Sequence, residues 1–552
     1  MNFEKLKVAL ILDQEIIPLW QYQLIETLVK SAYAEISLVL MLTSLATNKR
    51  CRKRAAGKKY TAVVNLHLQV DRMLFGSTTN FDRPSDLKEA LGQTDILSVY
   101  LKEESAGSAI SNSKIVSQIN YYDLDVILQL AGDKLSGEIL SVPRYGVWAY
   151  QHKVNDCPVG YMEVVNQQDT LRTDLLLFSP FFPNGQLIYR SFMLPDHLSI
   201  INTQHAAYWR TSLAMPRILQ GLFKYGEGYL QNLAKRFDTK DPKGRLEALP
   251  NPVQALTKAV SHFTYLLYRV WRKIMYRDHW FILFSTQTED PLTTSLSRYK
   301  RLAQPADRFW ADPFLVTHAE KHYLFVEELL NRTGKGHITV VETNSNGEVL
   351  HFEKVLEKEY HLSYPFLLNH NNTYYMIPET GANRTVELYR CTEFPYKWEF
   401  VMNLMENVLT ADVTLFFYNG KWWMFCCVDG TDQNIGMLDE LHLYYSEELF
   451  STEWISHPCN PIITDVSRAR PAGRIFMKDN KIYRPSQDCS GMYGKAININ
   501  QVTALSETEY NEHLLTKILP DKGNGILGTH TYNFSDSFTV LDGFRYLRKR
   551  FL

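Results

Sequence analysis

The sequence predicts a multidomain chain of α/β plus all-β class: an N-terminal α/β domain, a helical connector and a five-bladed β-propeller. Three observations carry that expectation. Over residues 1–222, short Val/Ile/Leu runs alternate with helical patterns, as parallel strands joined by helices do. From about residue 279 onward, an apolar strand followed by an aromatic hairpin strand recurs along the chain. Finally, 552 residues with 45% hydrophobic content are enough to bury more than one core.

In the first region, strands are expected at 7–12, 36–42, 123–130, 146–152 and 173–178, with a helix over 20–32. A strand that is apolar at nearly every position has both faces covered, which helices on either side of a parallel sheet provide. No glycine precedes Gly57. The Gly-rich turn that would cradle a dinucleotide's phosphates after Leu12 is therefore missing, and a standard NAD or FAD site is not expected. No other cofactor is named by the sequence.

Residues 223–278 read as the connector, with a polar, turn-rich stretch at 238–245. Over 254–276, Leu256, Val260, Phe263, Leu267, Val270, Trp271 and Ile274 recur at helical spacing, while Lys258, Arg269, Arg272, Lys273 and Arg277 fall largely elsewhere. Such a helix either packs on a flanking domain or lies on an anionic membrane surface.

In the region 279–552, the strand-plus-hairpin pattern appears at Trp310-Ala-Asp-Pro-Phe-Leu315, Ser363-Tyr-Pro-Phe-Leu-Leu368, Ala411-Asp-Val-Thr-Leu-Phe416 and Pro471-Ala-Gly-Arg-Ile-Phe476, with a weaker copy near Thr529. Anchors at Pro313, Pro365, Val413, Gly473 and Tyr532 are separated by 52, 48, 60 and 59 residues. A four-stranded blade needs about 40 to 50 residues plus loops, so five blades fit, with 280–284 as a closing strand.

Composition narrows the partners. With 59 Lys+Arg against 60 Asp+Glu there is no overall field for nucleic acid, although 49–59 is locally basic. The seven cysteines are scattered without C-x-x-C spacing, which suits reduced thiols and suggests neither a zinc site nor a disulfide framework. The opening apolar run ends at Asp13, too short for a secretory signal, and no stretch is long enough to span a bilayer. The expected location is cytoplasmic, or peripheral at the inner face of the membrane.

Carboxylates mark the candidate site. Asp312 and Asp412 hold the same place in the first and third repeats; Glu379 ends the hairpin strand of the second, with Glu328 as its expected counterpart in the first. Acids at the ends of apolar strands are costly to bury unless they are paired or working, and two of them can act as general acid and general base on a sugar. Asp312 equally suits capping a bend or pairing with Arg308, and Glu328 fits a structural role better than a chemical one.

The runs Asp307-Arg-Phe-Trp-Ala-Asp-Pro-Phe314, His361-Leu-Ser-Tyr-Pro-Phe366, Tyr375-Met-Ile-Pro-Glu379, Ala472-Gly-Arg474 and Tyr483-Arg-Pro-Ser-Gln-Asp488 resemble the N-terminal domain family of glucosamine inositolphosphorylceramide transferases. That family is similar to the five-bladed propellers of glycoside hydrolase family 43, where an Ala-Asp-Pro motif carries the general base. The resemblance implies Asp312 as base, Glu379 as acid and Asp412 as the residue that orients or tunes them, although the chain order of the last two is reversed relative to the hydrolases. It also implies a sugar or nucleotide-sugar substrate and a glycolipid as a possible acceptor.

Asp123-Leu-Asp-Val-Ile-Leu-Gln-Leu-Ala-Gly132 and Pro143-Arg-Tyr-Gly-Val-Trp-Ala-Tyr-Gln-His152 resemble the formyltransferase fold. His152 matches that family's histidine, but Tyr150 stands where its asparagine belongs and the Asn184-Gly185 region lacks its aspartate. The expected function is therefore a carbohydrate-active enzyme that makes or breaks a glycosidic or sugar-acyl linkage in surface polysaccharide or glycolipid metabolism. Its alternatives are formyl or acyl transfer to an amino sugar at His152, and glycan binding without catalysis.

Overall fold

The computed structural model describes residues 4–549 except 45–61, 77–79, 92–93, 105–106, 110–112, 133–134, 152–156, 238–249, 287–289, 294, 319–320 and 431–437. His152, the basic stretch 49–59 and the polar stretch 238–245 lie outside the described residues. The chain divides into two compact units, one of Met1–Ser191 with Pro195–Leu266, the other of Phe192–Leu194 with Leu267–Leu552. The division falls inside the helix Pro252–Met275.

The first unit is built on a nine-stranded, mostly parallel sheet. Leu6–Leu12 lies in its middle, parallel to Ala34–Ser44 on one side and Val126–Gln129 on the other. Ile96–Glu104 continues one wing; Val147–Gln151 and the antiparallel Leu171–Phe178 continue the other. Val8 to Leu12 have no solvent-exposed surface, which explains why the strand is apolar without alternation. The strand order reverses at Leu6–Leu12, the place where open α/β sheets bind ligands. The helix that follows, Leu19–Val29, starts from Pro18 with no side-chain cap hydrogen bond.

Asp123 and Asp125, a short D-x-D in the sequence, do not act together. Asp125 accepts the Lys7 N–H (2.9 Å) and ties a loop to the central strand, while Asp123 turns out to solvent in a left-handed conformation (φ 47°). The strand begins only at Val126, later than its apolar pattern suggests, because that turn precedes it.

Tyr150 is also committed to structure. The helix Ile200–Tyr225 contains Pro216, whose ring disturbs the preceding turn. The Tyr150 hydroxyl donates to Thr211 O (2.6 Å) and accepts the Met215 N–H (3.1 Å), bridging the carbonyl and amide that an undisturbed helix would have paired directly.

The second unit is a propeller of five four-stranded sheets. Blades one to four start at Arg308, Ser363, Leu409 and Phe476. The fifth is completed from the other end of the unit: Tyr276–Ser285 pairs antiparallel with Thr539–Arg548 over its whole length, from Tyr276↔Arg548 to Ser285↔Thr539. That closure ties both ends of the ring together and leaves it no open seam. Among the described residues, no helix is long and apolar enough to cross a membrane.

Candidate active site at the ends of the inner strands

The site begins with a repeated irregularity. The inner strands of blades one, two and three break register between Ala311 and Phe314, Ser363 and Phe366, and Ala411 and Thr414. Each break holds a non-glycine residue at positive φ: Asp312 (50°), Tyr364 (42°) and Asp412 (54°). That conformation costs on the order of 1–3 kcal/mol per residue and persists where surrounding contacts impose it. Bulges re-aim side chains, and here they gather groups from different blades. Tyr364 reaches blades three and four, its hydroxyl meeting Thr414 Oγ1 (2.9 Å) and accepting the Gly473 N–H (2.8 Å). Gly473, at φ 126°, has no room for a side chain: a Cβ there would sit 2.0 Å from Tyr532 O.

Asp312 is held by blades two and five. Its Oδ1 accepts from Thr531 Oγ1 (2.7 Å) and lies 3.3 Å from His530 Nε2; its Oδ2 accepts the Tyr364 N–H (3.2 Å). Its own N–H donates to Asp542 Oδ2 (3.2 Å), and Asp542 Oδ1 accepts the N–H groups of His530 (2.8 Å) and Thr531 (3.1 Å). Burial pushes the Asp312 carboxyl up to about 7, against the pull of His530, with Glu327, Asp412 and Asp542 adding to the rise. For His530, burial favours the neutral ring, but Asp542 and Asp312 outweigh it and raise the imidazole to about 9. An imidazolium thus stands between two buried carboxylates. The ligand atoms of Asp312, His530 and Asp542 all lie within 4.8 Å of one another. A cation could enter that place only in exchange for the His530 proton.

Glu379 and Asp412 share Arg470. The guanidinium reaches Asp412 through Nε and through Nη2 (3.3 Å to Oδ1), and Nη2 lies 3.4 Å from Glu379 Oε2. Gln487 Nε2 also donates to Asp412 (2.8 Å), and the Asp412 N–H donates to Glu379 Oε2 (3.2 Å). Asp412 is well supplied with donors; Glu379 has two long contacts. Burial raises the Glu379 carboxyl to about 8, the Asp412 charge adding to the rise and Arg470 opposing it. The charge on Asp412 acts on Asp312, and that on Asp312 acts on Glu379, so the three carboxylates form one electrostatic cluster. The Tyr493 ring joins its two halves, 5.2 Å from the Arg470 guanidinium and 5.3 Å from the His530 ring, and is itself 38% exposed.

Glu328 stands apart from this cluster. It is bonded to Arg308 (3.0 Å), Trp310 Nε1 (2.7 Å) and His337 (3.0 Å), so Arg308 serves Glu328 and Asp307 rather than Asp312. Nor is Glu328 the counterpart of Glu379. Ala311 pairs with Glu327 where Ser363 pairs with Glu379, so the equivalent residue is Glu327. A one-residue offset in a strand moves a side chain to the other face. Glu327 meets His361 Nε2 (3.2 Å) and its charge acts on Asp312. The hairpin aromatics pack within and between blades: Trp423 and Tyr375 are buried, Tyr374 packs on Phe394 and Trp422 on Phe417 in their own blades, and Trp422 also meets His370 of blade two.

Sequence reasoning missed Arg470, Gln487, His530, Asp542 and Tyr493. One signal was available: Asp542 interrupts the apolar strand Thr539–Arg548 with no exposed surface, and a carboxylate in that setting demands a partner.

Residues 289–527 match the family described as "Glucosamine inositolphosphorylceramide transferase 1, N-terminal". Proteins named glucosamine inositolphosphorylceramide transferase 1 are 37% identical in Oryza sativa subsp. japonica and 33% identical in Arabidopsis thaliana, each over 207 residues. The match covers 37% of this chain and only 27% of those relatives. Solved structures similar to the chain include Bacteroides ovatus GH43B (10% identity, 44% of this chain and 53% of that one, TM-score 0.32). A second is an exo-1,5-α-L-arabinanase from a bovine ruminal metagenomic library (14%, 45% and 95%, TM-score 0.31). Likenesses of that size bear no weight for this chain's chemistry. Its propeller carries the family match over residues 289–527, with the α/β unit outside it.

Proposed function

We propose that the propeller cluster makes or breaks a glycosidic bond, taking a sugar or nucleotide-sugar donor and, in the transfer direction, a glycolipid acceptor. The observation that carries this reading is the unequal supply of donors to three coupled, buried carboxylates. A carboxyl raised to about 8 still holds its proton at neutral pH, so Glu379 can protonate the leaving oxygen. Asp312 faces Thr531, the Tyr364 amide and the His530 imidazolium, all of which favour its ionised form. It is the base that takes the proton from an acceptor hydroxyl or a water. Asp412 fixes Arg470 and keeps Glu379 protonated by its own charge. Glycosidic cleavage requires this division of labour, and transfer from a nucleotide-sugar, whose phosphate leaves as an anion, requires the base.

The relatives' name mentions glucosamine and inositolphosphorylceramide, which makes a hexosamine donor and an inositol-phosphate lipid the first pair to try. Purified chain incubated with nucleotide-activated hexoses and hexosamines plus such a lipid, followed by mass spectrometry, tests the reading. Glu379→Gln and Asp312→Asn should each cost about 10²–10⁴ in turnover, the usual worth of a positioned acid or base. Full turnover by Asp312→Asn removes the assignment.

A further inference from the structure

The helix Pro252–Met275 has an apolar stripe that none of the described residues covers. Leu256, Val260, Leu267, Val270, Trp271 and Ile274 are each exposed, from 49% at Trp271 to 70% at Leu267, and Phe263 lies among them at 37%. Their spacing of three and four residues puts them on one side of the helix. The buried positions Ala255, Ala259 and His262 lie on a neighbouring flank, where His262 Nδ1 meets His67 Nε2 at 3.0 Å. The stripe is therefore additional to the face the helix uses for packing. The 24 residues contain no Asp or Glu; Lys258, Arg269 and Arg272 lie on the face opposite the stripe, with Lys258 bonded to Asn166 and Arg272 over the Tyr546 ring, Lys273 lies at its side and Arg277 follows.

We propose that this helix lies in the interface of an anionic bilayer, its apolar stripe in the acyl boundary and its cations among the headgroups. The chemistry fits that occupant. An interfacial helix combines a wide apolar face, aromatic side chains and a cationic polar face, and Phe263, Tyr268 and Trp271 supply the aromatics here. A second copy of the chain is a poorer occupant, since pairing two stripes brings two acid-free, cationic helices together. The inference does not depend on the glycosyl chemistry. A helix of this length covers roughly 36 Å along the surface.

The test is flotation of the full chain with vesicles of phosphatidylcholine alone or with added phosphatidylserine. Binding to the anionic vesicles, weakened by salt, is expected. Val260→Asp with Leu267→Asp should reduce bound protein by more than about tenfold while the circular dichroism melt stays unchanged. Arg269→Gln with Lys273→Gln should weaken binding about fivefold per charge removed. The proposal is overturned by absence of flotation with either vesicle, by flotation that the aspartate pair leaves intact, or by a concentration-dependent dimer in sedimentation that Leu267→Asp dissociates. Because no readout is enzymatic, failure of the glycosyl reading leaves this outcome unaffected.

Discussion

Blades one and two each carry a glutamate near the end of the second strand, Glu328 and Glu379, and the two sites treat it in opposite ways. Glu328 of blade one is 3% exposed yet held below the usual carboxylate range: burial raises it, and His337, Trp310 and Arg308 outweigh that. The side chain of Glu379 of blade two keeps 19% of its surface, yet its carboxyl rises to about 8. Solvent exposure alone does not rank the two acids, because the Glu379 carboxyl is the more deeply enclosed by protein atoms. Burial and the Asp412 charge raise Glu379, and the two acids differ as well in the supply of donors: three well-placed groups for Glu328, a backbone amide and a shared guanidinium at 3.2 and 3.4 Å for Glu379. Burial sets the penalty, and hydrogen bonding decides whether the charge survives it.

The largest expected effect that would break this comparison is on turnover. In the transfer assay, Glu379→Gln should cost about 10²–10⁴, whereas Glu328→Gln should leave the rate of the folded fraction unchanged. An equal loss from both would show that blade one takes part in the chemistry. Next in size is stability. Glu328→Gln should lower unfolding free energy by about 1–3 kcal/mol in urea titration, since it removes the buried charge that Arg308, Trp310 and His337 bond to, while Arg308 keeps Asp307. Glu379→Gln should be close to neutral, because the native acid is already protonated at neutral pH.

Stability against pH sharpens the same point. Asp312, Glu379 and His530 all have folded-state values above their unfolded ones, so the folded state holds extra protons and loses that stabilisation as pH rises through about 7, 8 and 9 respectively. Glu328 has the opposite sign: its contribution is lost on acidification below the ordinary glutamate range. The propeller's melting temperature should therefore decline between about pH 4 and pH 9, and Glu379→Gln should flatten that decline. For turnover, the base limb should rise near 7 and the acid limb fall near 8. The smallest effect belongs to Glu327. Its charge raises Asp312, so Glu327→Gln should move the lower limb of the pH–rate profile toward acid without abolishing activity.

Much of the fold was legible because it rests on local pattern. The inner-strand repeats, the closing strand Tyr276–Ser285 and the parallel strands around Leu6–Leu12 follow from apolar periodicity and turn residues within short windows. The site was legible in part: Asp312, Glu379 and Asp412 stand out as acids on apolar strands. The counterpart of Glu379 was misplaced by one residue: blade one has two adjacent glutamates there, both blades carry the same bulge, and the pairing of Ala311 with Glu327 and of Ser363 with Glu379 picks out the equivalent one. Nothing local assigns Arg470 to Asp412, 58 positions away, or Asp542 to the amide of Asp312, 230 positions away.

The sequence by itself determined which residues form strands, how often the blade recurs and which carboxylates are costly to bury, since these depend on side-chain chemistry at short range. Only the tertiary structure decided which carboxylates keep their charge. That outcome depends on donors delivered by ring closure from blades four and five to the bulged strands of blades one and three, and the free energy of a buried charge is set by those neighbours.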